Sequence, residues 1–365
     1  MAVTAALGTA LDPPTLRTLP DAVAANVATA LARTRSRMMA VVKADGYGHG
    51  ALAVARAAVA AGVDWLGTTE VAQALALRAA GLTVPILTWL NPSGVDAQAA
   101  AAGQIDVAVG SVDALEALGG APVRVHLHLD TGMAREGCPV GEWDTLVEAA
   151  RRGGVRVVGL MGHLPLADRA DPAANAPAVA RLRAAGRALV RAGFAAPLTH
   201  LAATSATLTD PSTHFDLVRV GAGLVGIDPS GTVGLRGAAS LTAPVTHSTT
   251  VGAGTPVGYG GTQVTARRTN LAVVPLGYAD GIPRELSPEA AVAIHGRRHR
   301  VVGRVSMDQL VVDTGDRRVS PGTTATVFGP GGGETPTIHD WARWAGTIPH
   351  TIVTGIGPRV RRTIA

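Results

Sequence analysis

The stretch VVKADGYGHG, residues 41–50, constrains the chain more than any other. Apolar residues from Met38 to Val42 read as a buried strand that delivers Lys43 to a loop, Ala44 to Gly50, too glycine-rich to continue it. A helical pattern follows over residues 51–61. An amine at the end of a buried strand, walled by apolar groups, is partly desolvated and becomes nucleophilic toward a carbonyl. A solvated lysine that merely closes a core strand is the plain alternative. Lys43 is also the only lysine of the 365 residues; every other fixed cation is an arginine.

Strand-like apolar runs alternate with helical stretches over the next two hundred or so residues. Strands are expected near residues 38–43, 65–68, 84–90, 105–109, 123–129, 155–161, 198–201 and 215–219, with helices over 70–80, 112–118, 142–152 and 176–192 between them. The alanine-rich segment 16–32 reads as a first helix. Eight such units in this length predict an α/β fold, a (β/α)8 barrel of the TIM type. A doubly wound sheet competes, but the Gly-x-Gly-x-x-Gly turn usual after its first strand is missing. Past Leu224 glycines and prolines punctuate short β-branched runs, 243–250, 269–275, 299–305, 309–313 and 323–328, with one helical patch at 338–345. That pattern predicts a mostly β C-terminal domain. The division falls between residues 231 and 237, giving a barrel over 12–235 and a β domain over 236–365.

A hydrophobic fraction of 47% supports two real cores. A net charge of +5 invites a nucleic-acid reading, but the arginines are dispersed and aromatics amount to only 3%, so neither a basic stripe nor stacking platforms are available. The one compact basic cluster, Arg297 to Arg300, reads as a solvated turn. The single cysteine, Cys138, excludes an internal disulfide and fits a reducing compartment. The opening residues lack the pattern of a signal peptide and no apolar run is long enough to span a bilayer, so a cytoplasmic protein with no membrane partner is expected, and no metal site.

In a barrel of this type reactive groups project from the C-terminal ends of the strands, and phosphates sit on the last loops. The chemistry-bearing residues fall there. Lys43 ends the first strand; Asp130 and Arg135 follow the fifth in HLDTGMAREG; His163 follows the sixth in GLMGHLPLAD. Thr204 and Ser205 follow the seventh, and Arg219 closes the eighth in FDLVRVGAGLVG, where Gly221 and Ala222 offer backbone donors to an anion. Singly, His163 reads equally as a core histidine and Arg219 as half of an ion pair. The three tyrosines supply an independent clue. Tyr47, Tyr259 and Tyr278 all stand beside glycine in loops, GYG, GYG and GYA, which packing alone explains poorly. SMDQ, around Met307 and Asp308, reads on its own as a turn before a strand.

VVKADGYGHG, together with VGYGGT, LGYADGIPR and GRVSMDQLVVD in both domains, resembles the motifs of alanine racemases, enzymes of fold type III that depend on pyridoxal 5'-phosphate (PLP). The resemblance runs from about Leu31 to Arg361. It implies that Lys43 holds the cofactor covalently, that Tyr47, Thr204, Ser205, Gly221 and Ala222 contact its phosphate, and that His163 and Arg219 belong to the cofactor site. It implies that Tyr259 is the second catalytic base, Lys43 serving the D face and Tyr259 the L face, with His163, Arg219 and His200 as the network that favours its anion. Arg219 is expected beside the pyridine nitrogen, Arg135 and the backbone around Met307 at the substrate carboxylate, the pair Met307 and Asp308 facing the substrate, and Tyr278 at the entrance. It further implies a homodimer in which Tyr259 serves the partner's Lys43, alanine as substrate, and residues 1–11 joining the β domain. A broader amino-acid racemase and a PLP-binding homologue with little or no turnover are the alternatives.

Several positions depart from the family pattern. Members often carry a lysine where this chain has His128, bracing the arginine matched by Arg135. Thr204 replaces the usual asparagine of the phosphate loop, His350 and Thr351 replace a Tyr-Glu pair, and Pro358 stands where some members place a tyrosine.

Overall fold

The computed structural model describes residues 11–365. The chain divides into two compact units, one of Asp21–Arg236 and one in which residues 11–20 cluster with Gly237–Ala365. Residues 1–10, on which the expected place of residues 1–11 rests, lie outside the described residues.

The first unit is a (β/α)8 barrel. Its strands are Arg37–Val41, Trp65–Thr68, Ile86–Thr88, Ile105–Val109, Arg124–His128, Arg156–Met161, Leu198–His200 and Leu217–Val220. The first seven pair in parallel, each with its sequence neighbour, and the first also pairs in parallel with the eighth. Between the seventh and eighth strands single backbone bonds replace a ladder: Asp216 N donates to Thr199 O and Arg219 N to Ala202 O, both at 3.0 Å. Strands buried on both faces need apolar residues at every position, which is why 38–42 reads MMAVV and why Met39, Val41, Trp65, Leu87, Trp89, Met161 and Leu217 form one cluster. Helices alternate with the strands, among them Ala51–Ala60, Val71–Ala79, Trp143–Arg152 and Pro172–Arg191.

Two expectations are corrected here. Segment 16–32 is not one helix. Thr15–Thr18 is a strand and the helix starts at Pro20, whose fixed φ and missing N–H suit the first helical position. Thr15–Thr18 lies between Ala239–Pro244 and Arg361–Ile364 in the β unit, so residues 12–20 belong there rather than to the barrel. Second, Arg297–Arg300 is an edge strand paired antiparallel with Ala291–Ile294, not a turn; four successive long polar side chains suit an edge that must not pair further.

Helix Pro20–Leu31 ties the barrel's two ends together through buried Asn26. Its Nδ2 donates to Leu224 O at 3.1 Å and Arg236 O at 2.8 Å, and its Oδ1 accepts from Arg236 N at 2.8 Å.

Among the described residues the β unit contains a six-stranded sheet, a three-stranded sheet of His247–Val251, Thr269–Val274 and Leu310–Gly315, and a short ribbon of Pro256–Val257 with Gln263–Val264. The run expected as one strand over 243–250 breaks at Val245 into strands of two different sheets. Helix Ile338–Trp344 is closed by a capping box between Thr337 and Asp340, and buried Trp341 donates its indole N–H to Val327 O at 2.6 Å.

Replacing Asn26 by Ala removes the partner of two carbonyls and one amide N–H, of which Leu224 O is buried. It should lower unfolding free energy by about 3 kcal/mol. Urea denaturation followed by circular dichroism checks this; a change below about 1 kcal/mol would mean that water or a backbone shift replaces the side chain.

Candidate active site

Lys43 opens the loop at the C-terminal end of the first barrel strand. Past Val42 the backbone turns left-handed through Ala44, Asp45, Gly46 and Tyr47, with φ between 51° and 61°. Non-glycine residues held this way store about 1–2 kcal/mol each. The loop is pinned from both ends. Asp45 Oδ1 accepts from Ala51 N at 2.8 Å at the start of the next helix, and His49 Nδ1 lies 2.7 Å from Tyr47 O. A Cβ on Gly46 would press on Ala51 Cα at 3.1 Å, so glycine is required there for space as well as for φ.

The loop carries Tyr47 across the barrel mouth to the loop after the eighth strand. A Cβ on Gly221 would lie 2.3 Å from the Tyr47 hydroxyl. The cradle is completed by Thr204, whose Oγ1 accepts from Gly221 N at 3.3 Å and Gly223 N at 3.2 Å. Ser205 donates to Asp168 Oδ1 at 2.6 Å. Ala222 begins the short 3₁₀ turn that follows. Burial pushes the Tyr47 phenol up to about 12, so it stays a hydrogen-bond donor.

Arg219 is 3% exposed and meets no carboxylate among the described residues. Its Nη1 donates to His200 Nδ1 at 2.9 Å; its Nη2 reaches Gly162 O at 2.9 Å, Leu201 O at 3.2 Å and His163 Nδ1 at 3.2 Å. Burial lowers its pKa to about 10, which leaves it a cation at neutral pH. Burial and then the charge of Arg219 press His163 down to about 3, His128 to about 4 and His200 well below the usual histidine range. Lys43 is lowered too, first by burial and next by Arg135, with a smaller push from Arg219 and an opposing pull from Glu136. The mouth therefore holds several cationic groups crowded together with neutral imidazoles between them.

Asp130 shapes the loop that bears Arg135 by accepting from the N–H groups of Gly132 and Met133 at 2.8 and 2.9 Å. Arg135 is largely exposed and pairs with Glu136 at 3.3 Å; among the described residues it has no hydrogen bond to His128.

In the β unit the expected substrate residues come together on one support. Tyr278 N donates to Ser306 O and Ala279 N to Met307 O, both at 3.0 Å, and a Cβ on Gly277 would lie 2.2 Å from Met307 O. Arg359 clamps the pair of loops: it bonds both oxygens of Asp280 at 2.9 and 3.0 Å and Asp308 Oδ1 at 2.6 Å. Asp308 is thus engaged within its own unit. Tyr259 stands apart from them, 71% exposed at the tip of the ribbon formed by Pro256–Val257 and Gln263–Val264.

Sequence reasoning missed Arg359, Asp168, Asp106 and His126. A lone acid in the apolar strand IDVAV, and histidines alternating in VHLHLD, were signals for the last two, because alternate residues of a strand share a face.

A barrel whose mouth gathers one half-buried amine, a buried guanidinium and a glycine cradle is an enzyme's site. Comparison with known proteins agrees on the class. Residues 20–229 match the family model for the alanine racemase N-terminal domain and residues 238–364 that for the C-terminal domain. An alanine racemase of Salinispora tropica is 42% identical over 92% of this chain and 94% of its own length. The alanine racemase structure from Streptomyces coelicolor A3(2) superposes with a TM-score of 0.92 at 41% identity, covering 97% of this chain and 98% of that one. One from Bartonella henselae, described with covalently bound pyridoxal phosphate, gives 0.85 at 27% identity over 97% and 100%. The chain belongs to the alanine racemase family, whose members are PLP-dependent isomerases.

The neutral histidines make stability depend on pH. Their folded pKa values lie below the unfolded value of about 6.5, so the stability they contribute is complete above pH 6.5 and is lost as pH falls toward the folded values. At pH 5 each of His49, whose burial holds it near 4, His128 and His163 should cost about 2 kcal/mol relative to pH 8. Urea unfolding across this range checks the slope. In His128→Asn it should be shallower by about one proton; an unchanged slope would mean that His128 titrates normally when folded.

Proposed function

We propose that this chain interconverts L-alanine and D-alanine with PLP attached to Lys43, in a homodimer whose subunits complete each other's sites. The observation that carries the reading is the placement of the only lysine: at the barrel mouth, beside Arg135 and Arg219, with its amine's pKa lowered. The residues fit the cofactor. Because Gly221 has no side chain, the Tyr47 hydroxyl closes onto the loop after the eighth strand, where the N–H groups of Gly221 and Gly223 gather on Thr204 Oγ1; this collection of hydroxyl and N–H donors suits a phosphate, and the crowded cations call for an anion. Tyr47, Thr204, Ser205, Gly221 and Ala222 would surround that phosphate; Arg219, with His163 beside it, would face the pyridine nitrogen.

PLP, when bound, supplies the electron sink that makes the proton on the substrate's Cα removable. The chain supplies the rest. A lowered pKa leaves more of the Lys43 amine unprotonated at neutral pH, ready to hold that proton on one face. Inversion needs a second group on the opposite face, and Tyr259 of the partner subunit takes that part; its exposed ribbon suits a reach outward. Arg135 and the backbone around Met307 would bind the substrate carboxylate. Asp308, clamped by Arg359, would hold that backbone in place, and Tyr278 would line the entrance. Arg219 remains a donor throughout, because a guanidinium does not give up its proton at these pH values.

Borohydride trapping followed by peptide mapping should place the cofactor on the peptide that contains Lys43. Label on any lysine-free peptide would contradict the assignment.

Tyr259→Phe should fold and bind PLP while racemising about a hundredfold to ten-thousandfold more slowly. Solvent deuterium exchange at Cα should suffer far more from L-alanine than from D-alanine. Mixing inactive Lys43→Ala and Tyr259→Phe proteins under subunit exchange should restore activity, since a mixed dimer holds one intact site. Proven heterodimers without recovery would mean that both bases come from one chain.

A further inference from the structure

The hydrogen bonds of Arg219 do not stop at His200. His200 Nε2 lies 2.8 Å from His126 Nδ1, His126 Nε2 lies 3.3 Å from Asp106 Oδ2, and Asp106 Oδ1 accepts from Arg124 Nε at 2.7 Å. His200, His126 and Asp106 are each no more than 1% exposed. Asp106 is the second residue of the fourth strand, whereas Arg219 is the third of four residues in the eighth. The chain of contacts therefore runs inside the barrel wall from the entry half of the sheet to the mouth. It is a built feature. A Cβ on Gly159 would lie 2.0 Å from His126 Nδ1, so the ring occupies room that only glycine leaves, and Trp65 packs edge-on against it with ring centroids 5.8 Å apart.

The direction of every bond follows from one end. A guanidinium only donates, so His200 Nδ1 accepts. The neutral His200 then carries its proton on Nε2 and donates to His126 Nδ1, which leaves His126 its proton on Nε2, aimed at Asp106. Asp106 accepts at both oxygens, from His126 and from Arg124. Two imidazoles thus couple the one buried carboxylate on this path to a buried cation that meets no carboxylate among the described residues.

We propose that Asp106 and His126 are positioning residues for the racemase reaction, fixing the tautomer of His200 and thereby the orientation and charge of Arg219 from the far end of the barrel wall. The proposal rests on the reading that Arg219 faces the cofactor ring.

A change of one atom tests it. In Asp106→Asn the amide has one acceptor and one donor. Arg124 holds the oxygen with its N–H groups, so the NH2 faces His126 Nε2. That forces the His126 proton to Nδ1, the His200 proton to Nδ1, and sets donor against donor at Arg219 Nη1. Histidine ¹⁵N resonances of the protein without cofactor read this directly. Wild type should show Nε2–H on both His126 and His200; D106N should show Nδ1–H on both. Adding Arg124→Met frees the asparagine to turn its oxygen toward His126, so D106N/R124M should return both tautomers although it removes a further contact. A merely structural role would not produce that rescue. Racemisation by D106N should fall about ten- to a hundredfold in kcat with KM for alanine moved less than about twofold, and the double variant should regain most of it. Wild-type His200 carrying its proton on Nδ1 would overturn the proposal without any variant, including the case where D106N does not fold. Unchanged tautomers in D106N, or no return in the double variant, would overturn it too. Inverted tautomers with unchanged racemisation would instead overturn the part assigned to Arg219 at the cofactor.

Discussion

A guanidinium sealed from water, with no carboxylate in contact among the described residues, is the constraint on which the barrel mouth depends. Arg219 keeps its charge because four acceptors, two carbonyls and two imidazoles, replace the solvent it lost. The charge then governs what surrounds it. Burial and the field of Arg219 hold His163, His128 and His200 neutral, and the same field adds to burial and Arg135 in lowering Lys43. One side chain of the eighth strand thus adds to burial in lowering groups that end or follow the first, fifth, sixth and seventh.

The local backbone serves that electrostatic arrangement at a conformational cost. The left-handed run from Ala44 to Tyr47 turns the chain sharply after Lys43 and aims the Tyr47 hydroxyl at the Gly221 cradle. Strain of this kind persists only where neighbours over-determine the conformation, and the bonds of Asp45 and His49 do so. In the β unit Arg359 plays the corresponding part by locking the Tyr278 and Met307 loops to each other.

Much of the fold was legible because buried parallel strands announce themselves as unbroken apolar runs. Strands 65–68 and 105–109 end where the pattern ends. The errors share a cause, since alanine-rich and arginine-rich stretches carry little periodicity. Segment 16–32 hid a four-residue strand before its helix, and RRHR hid an edge strand whose pairing is set by its neighbour in the sheet. Lys43, Tyr47, His163 and Arg219 were readable as site candidates because barrel topology puts strand ends together. The links that orient them were not. Asp106 meets His126 across twenty residues, and Arg359 meets Asp280 across seventy-nine, distances at which pattern reading has nothing to compare.

The central claim is that burial and like charge depress the Lys43 amine before any ligand arrives. Because the chain has one lysine, selective ¹³C,¹⁵N-lysine labelling gives a single side-chain resonance whose pH titration in the cofactor-free protein reports that amine alone. The account predicts a midpoint below the ordinary value of 10.5, moving upward in Arg135→Gln as one neighbouring cation is removed. A midpoint at or above 10.5, unmoved by that substitution, would contradict it.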